Sequence, residues 1–191
     1  MRRSLRRDQR GTTLVEMAMV FPIVLFTTVS IMEFGNLFHQ WILAEKATQM
    51  GARYAVTANM AATGVPECGV QTSVPIGTPC RNVPGSATWT RTCTAGGGGC
   101  NAADFAAIVG SMQGIYSRIA PANVVVEYSG TGLGFIGRGK PVPNVTVRLQ
   151  DMQFQFVVLG SLTRGLFGGA LADAIAMPDF RTTLPGEDLQ S

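Results

Sequence analysis

The sequence predicts an α+β protein: a long N-terminal transmembrane helix extending into a small exported domain with a short antiparallel sheet and a disulfide-stapled loop. Three observations carry that expectation. A basic start leads into a long apolar run, helical spacing continues past the end of that run, and segments rich in β-branched residues are confined to the second half of the chain.

Charged residues make up 14% of the 191 residues and hydrophobic ones 46%, whereas an ordinary soluble domain is about 25% charged. A membrane segment accounts for the deficit. The net charge of +3 is unevenly placed. Arg2, Arg3, Arg6, Arg7 and Arg10 precede Gly11 with only Asp8 against them, and the ten basic and eleven acidic residues that remain nearly cancel. The body therefore offers no basic surface for nucleic acid, and the arginine cluster reads as a topology signal that keeps the N-terminus in the cytoplasm.

Between Thr12 and Phe38 the only charged residues are Glu16 and Glu33. The core "MAMVFPIVLFTTVSIM", residues 17–32, spans about 30 Å with its flanking turns, enough for a hydrocarbon layer. Pro22 is tolerable in such a helix because neighbouring helices, or Thr27 and Thr28, can satisfy the carbonyl that it frees. A cleaved signal peptide would need a short apolar stretch and a small-residue cleavage site. No clean A-x-A follows, and Leu37, Trp41, Ala44, Ala47 and Ala55 recur at roughly helical spacing beyond the run. One helix is thus expected over residues 12–58, about 70 Å long at the standard rise.

Glu16 calls for an explanation. A carboxylate within a bilayer costs on the order of 2.5–3.5 kcal/mol on insertion scales, so it needs a partner. If the chain is cut after Gly11, Thr12 becomes a free α-amine and Glu16 stands one helical turn away. The amine of a neighbouring subunit, shifted along the helix, could then be set against this glutamate.

The stretch "RGTTLVEMAMVFPIVLFTTVSIMEFGNLFHQWILAEKATQMGARYAV" resembles the TadE-like proteins, pilin-like components of the bacterial tight-adherence secretion and pilus-assembly system. The features that carry the resemblance are Arg10-Gly11, Val15-Glu16, Phe21-Pro22, Glu33-Phe34-Gly35, Gln40 and Gly51-Ala52-Arg53-Tyr54. It covers about the first 58 residues, with a looser likeness in the ending "AIAMPDFRTTLPGE". The resemblance implies a pilin-like fold and a pseudopilin or minor pilin of the bacterial inner membrane. It also implies processing by a prepilin peptidase after Gly11, and other pilin-like subunits and the pilus assembly platform as partners. Thr12, the first residue after such a cut, is polar where type IV pilins prefer Phe or Met.

The expected organisation is a basic cytoplasmic leader at 1–11, the anchor helix at 12–58, a Gly/Pro/Cys-rich loop region at 59–100 and a small α+β exported domain at 101–191. The loop region holds all four cysteines. In an oxidising compartment Cys68, Cys80, Cys93 and Cys100 are expected to form two disulfides in one of three pairings. Proximity favours Cys68 with Cys80 and Cys93 with Cys100, each bridge contributing about 2–4 kcal/mol against the unfolded chain. A zinc site is the rival reading, but the cysteines lack the C-x2-C pairs that such sites use. The single histidine, His39, reads as an interfacial residue beside Trp41.

Further on, "NAADFAAIVGSMQGIYSRI" places Phe105, Ile108, Met112, Ile115 and Ile119 at helical spacing, with Asn101 or Asp104 as the cap. "NVVVEYS" and "NVTVRLQDMQFQFVVL" read as strands joined by a glycine-rich turn over residues 130–139. A short helical or loop insert from Ser161 and a final strand around residues 175–184 complete the chain. The small sheet would bury one face against the long helix.

The motif "GLGFIG", Gly132 to Gly137, satisfies the dinucleotide-binding G-x-G-x-x-G spacing and follows a strand, but Pro141 and Pro143 stand where its helix should begin. A hairpin turn is the better reading. Gly96 to Gly99 lacks the G-K-[ST] ending of a phosphate loop. No His base, constrained carboxylate pair or nucleophile elbow is legible, so no catalytic residue, cofactor or metal is expected. The favoured function is a structural or assembly role. The alternative is a membrane-anchored ectodomain that binds a ligand or catalyses a reaction without any link to pili.

Overall fold

The computed structural model describes residues 9–66, 68, 73–86, 88–137, 142–168 and 174–186. The arginines at 2–7, and residues 138 and 139 of the expected turn, lie outside them. Helix α1, Gln9–Thr57, is followed by strand β1 (Thr90–Thr94), helix α2 (Ala102–Gln113), strands β2 (Val124–Ser129), β3 (Asn144–Leu149) and β4 (Gln153–Gln155), helix α3 (Val158–Phe167), and strands β5 (Ala174–Ala176) and β6 (Phe180–Pro185). The α+β class and the long apolar N-terminal helix expected from the sequence are both present. The chain divides into two compact units, Met1–His39 with Phe154–Ile175, and Gln40–Gln153 with Ala176–Ser191.

In the first unit α1 is the one helix among the described residues that is long and apolar enough to cross a membrane. Leu14, Met17, Met19, Phe21, Ile23, Ile31 and Met32 are 63–75% exposed and form an apolar sleeve. Pro22 lies inside the helix and leaves the carbonyl four residues before it without its usual amide partner. The hydroxyls of Thr27 and Thr28 do not reach back to it; they donate to Val24 O and Leu25 O, each at 2.9 Å. The same unit contains α3, which ends at Gly168 in the left-handed conformation favoured by glycine, φ 64°. Edge-to-face ring contacts join Phe34 to Phe156 at 6.0 Å and Phe154 to Phe156 at 5.2 Å.

In the second unit the remainder of α1 buries a stripe of small residues: Ala44, Ala47, Thr48, Gly51, Ala52 and Ala55. This is the three-and-four spacing of an amphipathic helix. A four-stranded antiparallel sheet in the order β1-β2-β3-β6 supplies the facing layer. Val124 opposes Leu149, Val126 opposes Val147 and Tyr128 opposes Val145, all six fully buried. On the other face of the sheet Glu127 and Arg148 form an ion pair at 2.6 Å, and the hydroxyls of Thr146 and Thr183 meet at 2.9 Å. Helix α2 contributes Phe105, Ile108, Val109 and Met112 to the core. Its cap is Asn101, whose side chain accepts the Ala103 amide hydrogen at 3.0 Å.

Three details depart from the sequence expectation. The region 59–100 is not all loop, since it provides the edge strand β1. The run "NVTVRLQDMQFQFVVL" is not one strand: Asp151 takes a left-handed conformation, φ 56°, between β3 and β4, and the last valine begins a helix. Helix α2 stops at Gly114, so Ile115 and Ile119 follow it in a turn, Ile119 buried nonetheless.

Candidate processing and assembly site

The first turn of α1 carries Gly11 and Thr12, and Glu16 follows one turn later. Positions 12 and 16 share a helix face by their spacing. Gly11 and Glu16 are exposed. A Cβ at Gly11 would meet nothing within 4 Å, so glycine is not required there by packing. Among the described residues the Glu16 carboxylate has no hydrogen-bond or ion-pair partner within its own chain. It stands exposed on the apolar sleeve of α1.

Glu33, the other carboxylate of the apolar run, is 8% exposed. Its Oε1 accepts the amide hydrogen of Val158 and its Oε2 that of Leu159 at 3.1 Å. These are the first two residues of α3. Helix starts leave amide groups without intrahelical partners, and the residue before Val158 is Val157, which has no side-chain acceptor. The cap therefore comes from a residue 125 positions earlier in the chain. The carboxylate charge also sits favourably at the positive end of the helix dipole. Sequence reasoning singled out Glu33 as a rare charge but could not see this role.

Two further positions of α1 pack within the second unit. The buried Gln40 side chain accepts a hydrogen bond from the Tyr116 hydroxyl at 2.9 Å. At Gly51 a Cβ would lie 2.7 Å from Cγ and Sδ of Met112 and 3.5 Å from Val147. Glycine lets α1 approach α2 and β3 closely there.

The profile of the TadE-like protein family matches residues 11–53. The chain carries a TadE-like region. This match lies wholly within α1 and contains Gly11, Glu16, Glu33, Gln40 and Gly51. Neither a curated protein nor a solved structure matches the chain. Glu33, Phe34, Gln40 and Gly51, all within the TadE-like match, thus contact later parts of the chain through their side chains or through the lack of one.

Outside the TadE-like region, disulfides join Cys68 to Cys80 and Cys93 to Cys100. Cys68, Cys80, Val83 and Ile136 form a small core of their own. The glycine motif at 132–137 folds onto it: Gly134 O accepts from Cys80 N–H at 3.0 Å, and Gly132, Gly134 and Gly137 all have positive φ. The motif is a turn packed on a disulfide. A cleft of about 430 Å³ lies between the turn after β1 and helix α2, lined by Thr94, Gly96, Cys100, Phe105, Val109, Gln113 and others, none of them ionisable. His39 is exposed on α1. Among the described residues no group of three His, Cys, Asp or Glu side chains is placed to hold a metal ion.

Proposed function

We propose that the protein is a membrane-anchored pseudopilin or minor pilin that acts in assembly of a tight-adherence pilus or a related secretion apparatus. The TadE-like match over residues 11–53 is the observation that carries this reading. The exposed apolar sleeve of α1 supports it, since such a surface needs lipid or neighbouring helices. In this reading residues 1–11 are a cytoplasmic leader, residues 12–58 the anchor in the bacterial inner membrane, and residues 59–191 the exported part, on the periplasmic or extracellular side. A prepilin peptidase removes the leader after Gly11. The freed amine of Thr12 on one subunit then pairs with Glu16 of another, so the two charges cancel only when subunits assemble.

Mass spectrometry of the protein extracted from membranes tests the processing step. The mature chain is expected to begin at Thr12, and Gly11→Asp to leave the leader attached. A terminus at Met1 or Arg2 alone would remove processing from the mechanism.

A further inference from the structure

The apolar surface of the first unit does not end where the apolar run of α1 ends. Residues 13–32 are twenty residues and rise about 30 Å, one hydrocarbon thickness. Ile31 and Met32, at the end of that span, are 72% and 75% exposed. The next residue, Glu33, binds the start of α3, where Val157 and Val158 are 75% and 46% exposed. The Glu33 bonds thus hold these exposed valines beside the end of the exposed apolar run.

We infer that the segment from Phe156 through α3 is a membrane foot, lying in the lipid interface of the leaflet into which residue 33 emerges, with Val157 and Val158 among the acyl chains. Its occupant is the lipid surface rather than another protein, because Glu33 holds the exposed Val157 and Val158 beside the end of the exposed apolar run, one hydrocarbon thickness from its start. The reading rests on membrane anchoring of α1 and not on assembly into a pilus. Helix α3, with the sequence VLGSLTRGLF, has the mixed composition such a foot needs, five apolar residues of aliphatic or aromatic type beside Ser161, Thr163 and Arg164. Free amide groups are costly at lipid depth. The Glu33 carboxylate satisfies two of those at the start of α3, and Ser161 Oγ donates to Val158 O at 2.9 Å. The same contact hides the charge of Glu33 from lipid. The foot would fix how far α1 slides through the bilayer, and hence the depth of Glu16.

The test uses the full wild-type chain in vesicles of phosphatidylethanolamine and phosphatidylglycerol doped with a phospholipid carrying a photoactivatable diazirine in its acyl chain. After irradiation, peptide mapping is expected to find adducts within residues 13–32 and also at residues 156–162. Adducts on α1 without any on the 156–162 peptide would overturn the foot while leaving the anchor intact. Adducts on neither would overturn both. As a second measurement, Val157→Trp read against the wild-type background should add emission that is blue-shifted and lost to brominated lipids. Added emission that is quenched by aqueous iodide, or shielded from both quenchers by a neighbouring subunit, would contradict the lipid contact.

Discussion

The carboxylate of Glu33 accepts the amide hydrogen of Leu159 at 3.1 Å, and in doing so ties the middle of the long helix to the start of a helix far along the chain. Removing a helix cap costs about 0.5–2 kcal/mol. Glu33→Ala should therefore loosen α3 by that amount while leaving α1 inserted, because a carboxylate is removed from the apolar run. Hydrogen exchange of the amides at 158–167 in detergent-solubilised protein checks this. Faster exchange confined to that segment is the expected result, with Glu33→Gln intermediate because it keeps one acceptor.

Gly51 gives a prediction of graded size. A methyl group there must displace the buried Met112 side chain, 2.7 Å away, but alanine also recovers about 1 kcal/mol of helix propensity over glycine. Gly51→Ala is thus expected to be close to neutral, and Gly51→Val to destabilise by about 1–3 kcal/mol through overpacking. Thermal unfolding of the second unit within the detergent-solubilised protein measures both. Adding Met112→Ala should relieve the clash in Gly51→Val, leaving a double variant less impaired than the two single effects sum to.

Tyr128 is fully buried, and its hydroxyl oxygen accepts the Ala61 amide hydrogen at 3.1 Å. Burial raises its pKa above the usual 10.0; the Asp104 charge adds to the shift and the Ala61 hydrogen bond opposes it. The unfolded chain releases this proton as pH passes 10 while the folded chain holds it, so the stabilisation is complete below pH 10 and is lost as pH rises through the folded value. Tyr116, raised chiefly by burial and opposed by Arg118, acts in the same sense. Tyr128→Phe should cost about 1–3 kcal/mol at neutral pH by orphaning the Ala61 amide. Its alkaline loss of stability should be shallower than that of the wild type, as denaturant melts at pH 8 and above 10 can show.

Much of this architecture is legible in the sequence because the signals are local. The scarcity of charge between Thr12 and Phe38 marks the anchor, and the valines of β2 and β3 mark the middle of the sheet. Strand β1 escapes because an edge strand with one inward apolar residue, Cys93, looks like any threonine-rich loop. A helical or loop insert is legible from Ser161, but the start of α3 at Val158 escapes because "FQFVVL" has the β-branched character of a strand, and the features that break it, Asp151 in a left-handed conformation and a cap from Glu33, belong to the folded chain. Glu16 is legible as an anomaly, since a charge in an apolar run stands out. Gln40 is legible only as part of a family pattern, because its partner Tyr116 is brought to it by the fold.

The central claim is that Glu16 serves contacts between subunits rather than the fold of its own chain. The most direct measurement compares Glu16→Ala with wild type for two quantities in the same cells: the amount of protein in the inner membrane, and its cross-linking to other pilin-like subunits. Loss of a carboxylate that costs on the order of 2.5–3.5 kcal/mol within a bilayer should leave insertion equal or improved. Cross-linking should be lost, with Glu16→Gln behaving like alanine if charge is what matters. Glu16→Ala protein that inserts and cross-links as well as wild type would contradict the claim and leave α1 as a plain anchor.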